Sequence, residues 1–150
     1  MLSKVSLIVA ALLFSAIVGF VVLAGPPPLV VSNNPGGLVV QFLQQEHTLE
    51  AQGRGVVVVG RCASACTVVL HNPNVCVAPG GSFMFHKAFL ARPTPQGLLR
   101  GPDDEQTTAV LWSMYPSGVQ AWINAHGGLR DQPLNMSAQA AWAAGVRRCR

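Results

Sequence analysis

Three short segments of the sequence carry the residue types that nucleophilic catalysis at a carbonyl group needs. Ser64 lies a few residues after a run of four valines, His86 follows the apolar run Phe83–Phe85, and Gly36 and Gly37 form a pair after two asparagines and a proline. A hydroxyl nucleophile, an imidazole base and backbone N–H groups that bind an oxyanion are the parts of an acyl-transfer site. The combination therefore predicts acyl-transfer hydrolysis.

Each segment taken alone has a plainer structural explanation. A serine at a helix start is usually an N-cap, a histidine after an apolar run is more often structural, and Pro-Gly-Gly is more often only a turn. Together they favour catalysis, because the positive end of a helix dipole and the N–H of Ala65 would assist a hydroxyl at Ser64. Glycines without a Cβ let backbone N–H groups approach a carbonyl, and His86 is the expected general base.

The pattern of apolar residues predicts the elements that position these side chains. A short strand at Leu29–Val31 precedes the glycine pair, an amphipathic helix covers 38–51, and the β-branched run Val56–Val59 is expected in a strand buried on both faces. Further strands are predicted at 75–77 and 83–85, and helices at 64–71, about 103–114, 117–126 and 137–144. Strands that alternate with helices, followed mostly by helices, predict an α/β domain.

Residues 5–24 form an apolar segment without a charged side chain, long enough to cross a hydrocarbon core of about 30 Å as a helix. Lys4 precedes the segment and the next basic residue is Arg54, so the positive-inside tendency predicts that everything after it is exported. An uncleaved anchor facing the periplasm or exterior and a cleaved signal peptide ending at Ala24 both fit.

We expect a leader at 1–24, a proline spacer at 25–28 and one domain at 29–150. An uncleaved leader would make the membrane a partner and keep the domain near it.

The chain contains four cysteines, an even number that favours disulfides over metal ligands in an exported protein. Of the three pairings, we prefer Cys66 with Cys76, which closes a short loop, and Cys62 with Cys149, which ties down the C-terminus. The spacing of the cysteines and histidines matches no standard zinc motif. No metal and no cofactor is expected.

The charge of the chain disfavours a nucleic-acid partner. The formal net charge is +4, and the basic residues are scattered except for Arg147, Arg148 and Arg150. A short basic tail is usually solvated surface.

The segments N-N-P-G-G, C-A-S-A-C and C-V-A-P-G-G-S-F-M-F-H-K-A together resemble the core of the Clp-protease and crotonase superfamily. The resemblance covers residues 29–87 and is closest to exported, Clp-like serine-hydrolase proteins with a C-x-S-A-C motif. It implies that Ser64 is the nucleophile and His86 the base, with Gly36 or Gly37 and Ala65 as oxyanion donors. It also implies a spiral of short strands and helices, a peptide or other acyl substrate, and a homo-oligomer.

Two departures from the family pattern bear on the expected site and fold. The acid that orients the histidine should lie at position 133, which is proline here, so Asp131 is the candidate acid and Asn135 the uncharged alternative. The leader and spacer occupy the place of the family's first strand, so we expect an N-terminally shortened version of the fold.

Three hypotheses about function remain open at this point. The first is an exported or membrane-anchored serine hydrolase, such as a peptidase, that uses Ser64 and His86. The second is a non-catalytic envelope binding or scaffold protein that retains the fold. The third is a thiol enzyme that uses Cys62 or Cys66, which requires a free thiol.

Overall fold

The computed structural model describes residues 25–150, apart from the side chains at positions 97 and 98. The predicted leader at 5–24 lies outside these residues. Among the described residues, no helix combines the length and apolar character that crossing a membrane would require. The described chain is a mixed α/β structure. Its elements in chain order are β1 (Leu29–Asn34), α1 (Val39–Ala51), β2 (Val56–Ala63), a 3-10 helix (Ser64–His71), β3 (Val75–Val77), β4 (Ser82–Phe85), β5 (Phe89–Thr94), β6 (Gly97–Asp103), α2 (Glu105–Met114), α3 (Ser117–Ala125), β7 (Leu134–Ser137) and α4 (Ala138–Ala143).

The main sheet has the strand order β1-β2-β4-β7, with β3 also paired to β2. Strands β1 and β4 lie on either side of β2 and both run parallel to it, whereas β7 runs antiparallel to β4. The first half of β2 pairs with β3 and its second half pairs with β4, so β2 changes its neighbouring strand partway along its length. Strands β5 and β6 form a separate antiparallel hairpin.

The β-branched run in β2 is buried on one face rather than on both. Val56 and Val58 are fully buried, but Val59 is 39% exposed. The prediction of a doubly buried strand was therefore wrong for this run. Val56 and Val58 belong to the core that also contains residues of α1 and the 3-10 helix, whereas Val30, the register partner of Val57, is 58% exposed.

Most predicted elements are confirmed within a few residues of their expected ends, including the first helix and the strands on either side of it. The α/β class is confirmed as well. The hairpin β5–β6 and the short strand β7 were not predicted.

The four cysteines form two disulfides, as expected, but the preferred pairing was wrong. Cys62 is bonded to Cys66, and Cys76 to Cys149. The chain reverses direction after β2, which brings the Cα atoms of Cys62 and Cys66 to 5.3 Å. Cys76 lies in β3, against which the C-terminal tail packs. Disulfides of this kind indicate an oxidising, extracytoplasmic environment.

Candidate active site

The carboxyl ends of three neighbouring parallel strands meet at one edge of the sheet. Asn34 at the end of β1 is in register with Cys62 of β2, and Ala63 is in register with Met84 of β4. Ser64 follows β2 directly and His86 follows β4 directly. The fold therefore brings the glycine turn, the serine and the histidine to the same edge, where ligands of open α/β sheets commonly bind.

Ser64 occupies a strained turn between a strand and a helix. Its φ is 55°, and it is the one non-glycine residue of 25–150 with a positive φ. A left-handed conformation costs about 1–2 kcal/mol for a residue with a Cβ. The residue at the N-cap of the 3-10 helix is Ala63, which has an extended conformation. Ser64 is therefore not an N-cap, which was the plainer structural explanation for a serine at this position. The strained strand-to-helix turn is the geometry that exposes a nucleophilic serine in hydrolases.

The turn at Ser64 is held from both sides by its neighbours. The Cys62–Cys66 disulfide closes around it, and both cysteines are fully buried. The hydroxyl of Thr67 lies 2.6 Å from the carbonyl oxygen of Ser64, to which it donates, and 2.8 Å from the hydroxyl of Tyr115. These contacts fix the backbone carbonyl and leave the Ser64 side chain half-buried at the sheet edge.

Gly36 packs directly against the serine turn. A Cβ at this position would lie 2.6 Å from the carbonyl oxygen of Ala63, 2.6 Å from Cβ of Ser64 and 3.0 Å from the nitrogen of Ala65. Its φ of 90° is also in the left-handed region. Only glycine therefore permits this approach of the two backbone segments.

The backbone donors beside Ser64 are not equivalent. The N–H of Gly36 donates to the side-chain oxygen of Asn34 at 2.9 Å. The N–H of Ala65 lies in the first turn of the 3-10 helix, where N–H groups have no earlier partner within the helix. Of the two predicted glycines, Gly36 therefore has its N–H engaged by Asn34, and Gly37 is the one whose N–H Asn34 does not engage.

His86 is held by its own backbone and by an aromatic neighbour. Its Nδ1 lies 2.6 Å from the carbonyl oxygen of Lys87, and its ring stacks on Phe89 at 5.8 Å between centroids. A carbonyl oxygen only accepts, so this contact places the proton on Nδ1 and leaves Nε2 as an acceptor. No hydrogen bond joins His86 to the Ser64 hydroxyl in the described part of the chain.

The loop that carries Asp131, the predicted orienting acid, pairs with the segment that follows His86. The Asp131 side chain, however, binds another residue. The N–H of Lys87 donates to the carbonyl oxygen of Arg130, so the two loops pair at this point. The Asp131 carboxylate accepts a hydrogen bond from Arg100 at 2.8 Å. Its role as the acid stays a prediction, as does that of Asn135, which lies in β7 opposite Met84.

Sequence reasoning missed three residues that support the site. Arg100 projects from the hairpin, stacks over Phe89 at 4.5 Å and binds Asp131. Thr67 and Tyr115 form the buried hydrogen bond under the serine turn, and burial raises the pKa of Tyr115 to about 12, which keeps its hydroxyl neutral. In the sequence, the one signal of this contact was Tyr115, the single tyrosine of the chain, which follows the end of a predicted helix.

The described residues contain no cluster of three or more histidine, cysteine or acidic side chains that could bind a metal ion. Both cysteines beside Ser64 are held in a disulfide, so neither offers a thiol nucleophile in this state.

Comparison with known proteins gives no assignment: no protein-family model matches the sequence, and no curated protein matches it significantly. The geometry at the sheet edge is therefore the basis for any statement about function.

Proposed function

We propose that this protein is an exported serine hydrolase with a fold of the Clp and crotonase kind, in which Ser64 is the nucleophile. The left-handed conformation of Ser64 against Gly36 is the observation that carries the proposal. A fold keeps a strained non-glycine residue only where the surrounding contacts enforce it, and such residues concentrate at functional sites. Here a disulfide, a glycine and a buried hydrogen bond all maintain that turn.

The chemical steps follow from the positions of the groups. Nε2 of His86 takes the proton of the Ser64 hydroxyl as its oxygen attacks the substrate carbonyl. The N–H groups of Ala65 and Gly37 bind the oxygen on which negative charge develops. The same histidine returns the proton to the leaving group, and water then releases the acyl group from Ser64.

The third residue of a triad is not required for this chemistry. The carbonyl of Lys87 already fixes the tautomer of His86, which is the task that an acid performs in a triad. The substrate is a peptide or another acyl compound, and Asp131 contributes only if it leaves Arg100.

A second candidate function is a non-catalytic binding protein of the cell envelope. The observation that favours it is the pairing of Asp131 with Arg100, together with the lack of a hydrogen bond between Ser64 and His86 in the described residues. Catalytic hydrogen bonds are often long without substrate, so this geometry does not exclude catalysis.

Labelling with a fluorophosphonate probe distinguishes the two candidates. We expect the wild-type chain to form a covalent adduct and Ser64→Ala to form none. The matched control is Ser113→Ala, which removes an exposed hydroxyl that donates only to the carbonyl of Val110 and should leave labelling unchanged. A folded protein with both disulfides intact and no labelling would support the binding protein instead.

A further inference from the structure

Helix α2 contacts the segments on both sides of the candidate active site, although it contributes none of the proposed catalytic groups. Thr108, Leu111 and Tyr115 are buried, and their spacing of i, i+3 and i+7 places them on one face that continues from α2 into its C-cap. Thr108 and Tyr115 are seven residues apart, which corresponds to about 10 Å along the helix axis. Because both hydroxyl groups are buried in this face, each requires a hydrogen-bond partner there.

Near the start of α2, Thr108 holds the segment that follows His86. The N–H of Ala88 donates to Oγ1 of Thr108 at 2.9 Å, and that hydroxyl donates to the carbonyl oxygen of Asp104 at 2.8 Å. The N–H of Asp104 donates in turn to the carbonyl oxygen of Ala88 at 2.9 Å. Both backbone polar groups of Ala88, two residues after His86, are therefore bonded to the beginning of α2.

At the other end of α2, Tyr115 holds the turn at Ser64. The single hydroxyl proton of Thr67 is donated to the carbonyl oxygen of Ser64 at 2.6 Å, so the Tyr115 hydroxyl is the donor in its 2.8 Å contact with Thr67. The ring of Tyr115 also packs edge-to-face on Phe85, the residue before His86, with 5.2 Å between the ring centroids. Tyr115 is therefore bonded through Thr67 to the nucleophile turn and packs on the strand that carries the base.

We propose that α2 sets the position of His86 relative to Ser64, with Thr108 and Tyr115 as positioning residues for the serine hydrolase chemistry proposed above, on which this inference rests. Strands β2 and β4 bring the two residues to one edge of the sheet, but their pairing ends at Ala63 and Met84. Ser64 and His86 both lie beyond that last pair, so the sheet alone does not fix their separation. A misplacement of about 1 Å between reacting groups can slow a reaction roughly 10²-fold.

The two hydroxyl contacts of α2 act in series. The Thr108 contact joins α2 to the base segment, and the Tyr115 contact joins α2 to the nucleophile turn, so the loss of either one releases the same relative position. The loss of the second contact should then add little to the loss of the first. Two contacts that each stabilised only their own surroundings would instead have effects on the rate that multiply.

Saturation kinetics of fluorophosphonate labelling in the full chain test this arrangement. Tyr115→Phe removes one hydroxyl and keeps the ring on Phe85, and Thr108→Val removes the other hydroxyl. We expect each variant to lower the limiting rate constant of labelling by about 5–20-fold. The probe concentration at half-saturation should change by less than about twofold, because probe binding is unaffected. The double variant should label within about threefold of the slower single variant, and Thr108→Ser, which keeps the hydroxyl, within about twofold of wild type.

Ser137→Ala is the matched control for a loss of stability alone. The Ser137 hydroxyl accepts a hydrogen bond from the N–H of Ala140 at the start of α4, so the variant should unfold at a lower urea concentration and label at the wild-type rate. Wild-type rates in Tyr115→Phe and Thr108→Val, single losses that multiply in the double variant, no recovery in Thr108→Ser, or similar slowing in Ser137→Ala would overturn the proposal. A wild-type chain that does not label would contradict the hydrolase function itself and overturn this inference with it, whereas the other outcomes leave that function standing.

Discussion

At the carboxyl ends of β1, β2 and β4 the chain holds an unfavourable conformation, whereas at their amino ends it holds ordinary ones with longer-range ties. Ser64 is strained and is bracketed by a disulfide that spans four residues. The Cys76–Cys149 disulfide spans 73 residues and fastens the tail to the sheet. The short disulfide constrains the local geometry around Ser64. The long one restricts the conformations that the whole unfolded chain can adopt. We therefore expect changes at the carboxyl end to affect reactivity as well as stability, and changes at the amino end to affect stability alone.

The largest expected effect comes from the proposed base. His86→Ala should slow fluorophosphonate labelling by roughly 10²–10⁴-fold, because the proposed general base for the Ser64 hydroxyl is lost. The labelling rate constant of the purified chain measures this effect.

His126 provides a matched control for that substitution. Its Nδ1 also contacts a backbone carbonyl, that of Trp122 at 2.7 Å, and its ring also stacks on an aromatic side chain. His126→Ala should leave the rate within about twofold of wild type. Similar rates in both histidine variants would remove His86 from the mechanism.

The two disulfides should separate stability from reactivity. Replacing Cys76 and Cys149 by alanine should lower the free energy of unfolding by about 4 kcal/mol, because a long loop is no longer closed in the unfolded chain. Replacing Cys62 and Cys66 by alanine should cost only about 2 kcal/mol. Urea unfolding followed by tryptophan fluorescence measures both losses.

Labelling of the same two variants should give the opposite ranking. The folded variant that lacks the Cys62–Cys66 disulfide should label at least about tenfold more slowly, because the turn at Ser64 is no longer held by that disulfide. The folded Cys76–Cys149 variant should label at the wild-type rate. If the long-range disulfide governed labelling and the local one did not, the contrast between the two ends would be wrong.

Two glycines with the same backbone conformation provide a third comparison. Gly36 and Gly145 both have a φ of 90°, but a Cβ on Gly36 meets Ala63 and Ser64 at 2.6 Å, whereas nothing lies within 4 Å of one on Gly145. Gly145→Ala should cost about 1–2 kcal/mol of stability from backbone strain alone. Gly36→Ala should cost about 3 kcal/mol or more and should also slow labelling. Chemical denaturation of the two variants checks the difference, and equal losses would show that the close approach at Gly36 is unimportant.

The smallest expected effect is a pH dependence set by a buried acid on α1. Glu46 is 2% exposed and neither carboxylate oxygen forms a hydrogen bond in the described residues. Burial raises its pKa; the side chain of Asn72 lowers it in part, Glu50 raises it further, and His71 also lowers it. A raised pKa means that the folded state binds more protons, so stability should fall as pH rises from the ordinary glutamate pKa to the raised one.

Replacing Glu46 by glutamine should remove that slope. The free energy of unfolding of the wild type should be lower at neutral than at acidic pH, and that of Glu46→Gln should not show this decrease. Unfolding curves between pH 4 and pH 8 or so measure it, with Glu50→Gln as the exposed control that keeps most of the slope. An unchanged slope in Glu46→Gln would mean that another group causes it.

Local signals in the sequence were sufficient for the elements around the site. The asparagine and glycine turn, the valine run and the apolar run before His86 each predict one strand end, and parallel strands bring such ends together. The strain at Ser64 was not predictable, because it depends on the approach of Gly36 from another strand.

The missed elements gave weak signals for physical reasons. The hairpin contains Pro93 and Pro102, which usually argue against strands and are tolerated here because its two strands are both edges. Strand β7 has four residues, too few for a periodic pattern. The disulfide pairing depends on the reversal of the chain after β2, which places Cys66 beside Cys62 and away from Cys76.

The most direct test of the account is to locate the fluorophosphonate adduct by peptide mass spectrometry on the full chain with both disulfides intact. The account predicts one adduct per chain, on Ser64, at a rate that depends on His86. An adduct on any other residue, or a folded chain that remains unmodified, would contradict the claim that the strained serine is a nucleophile.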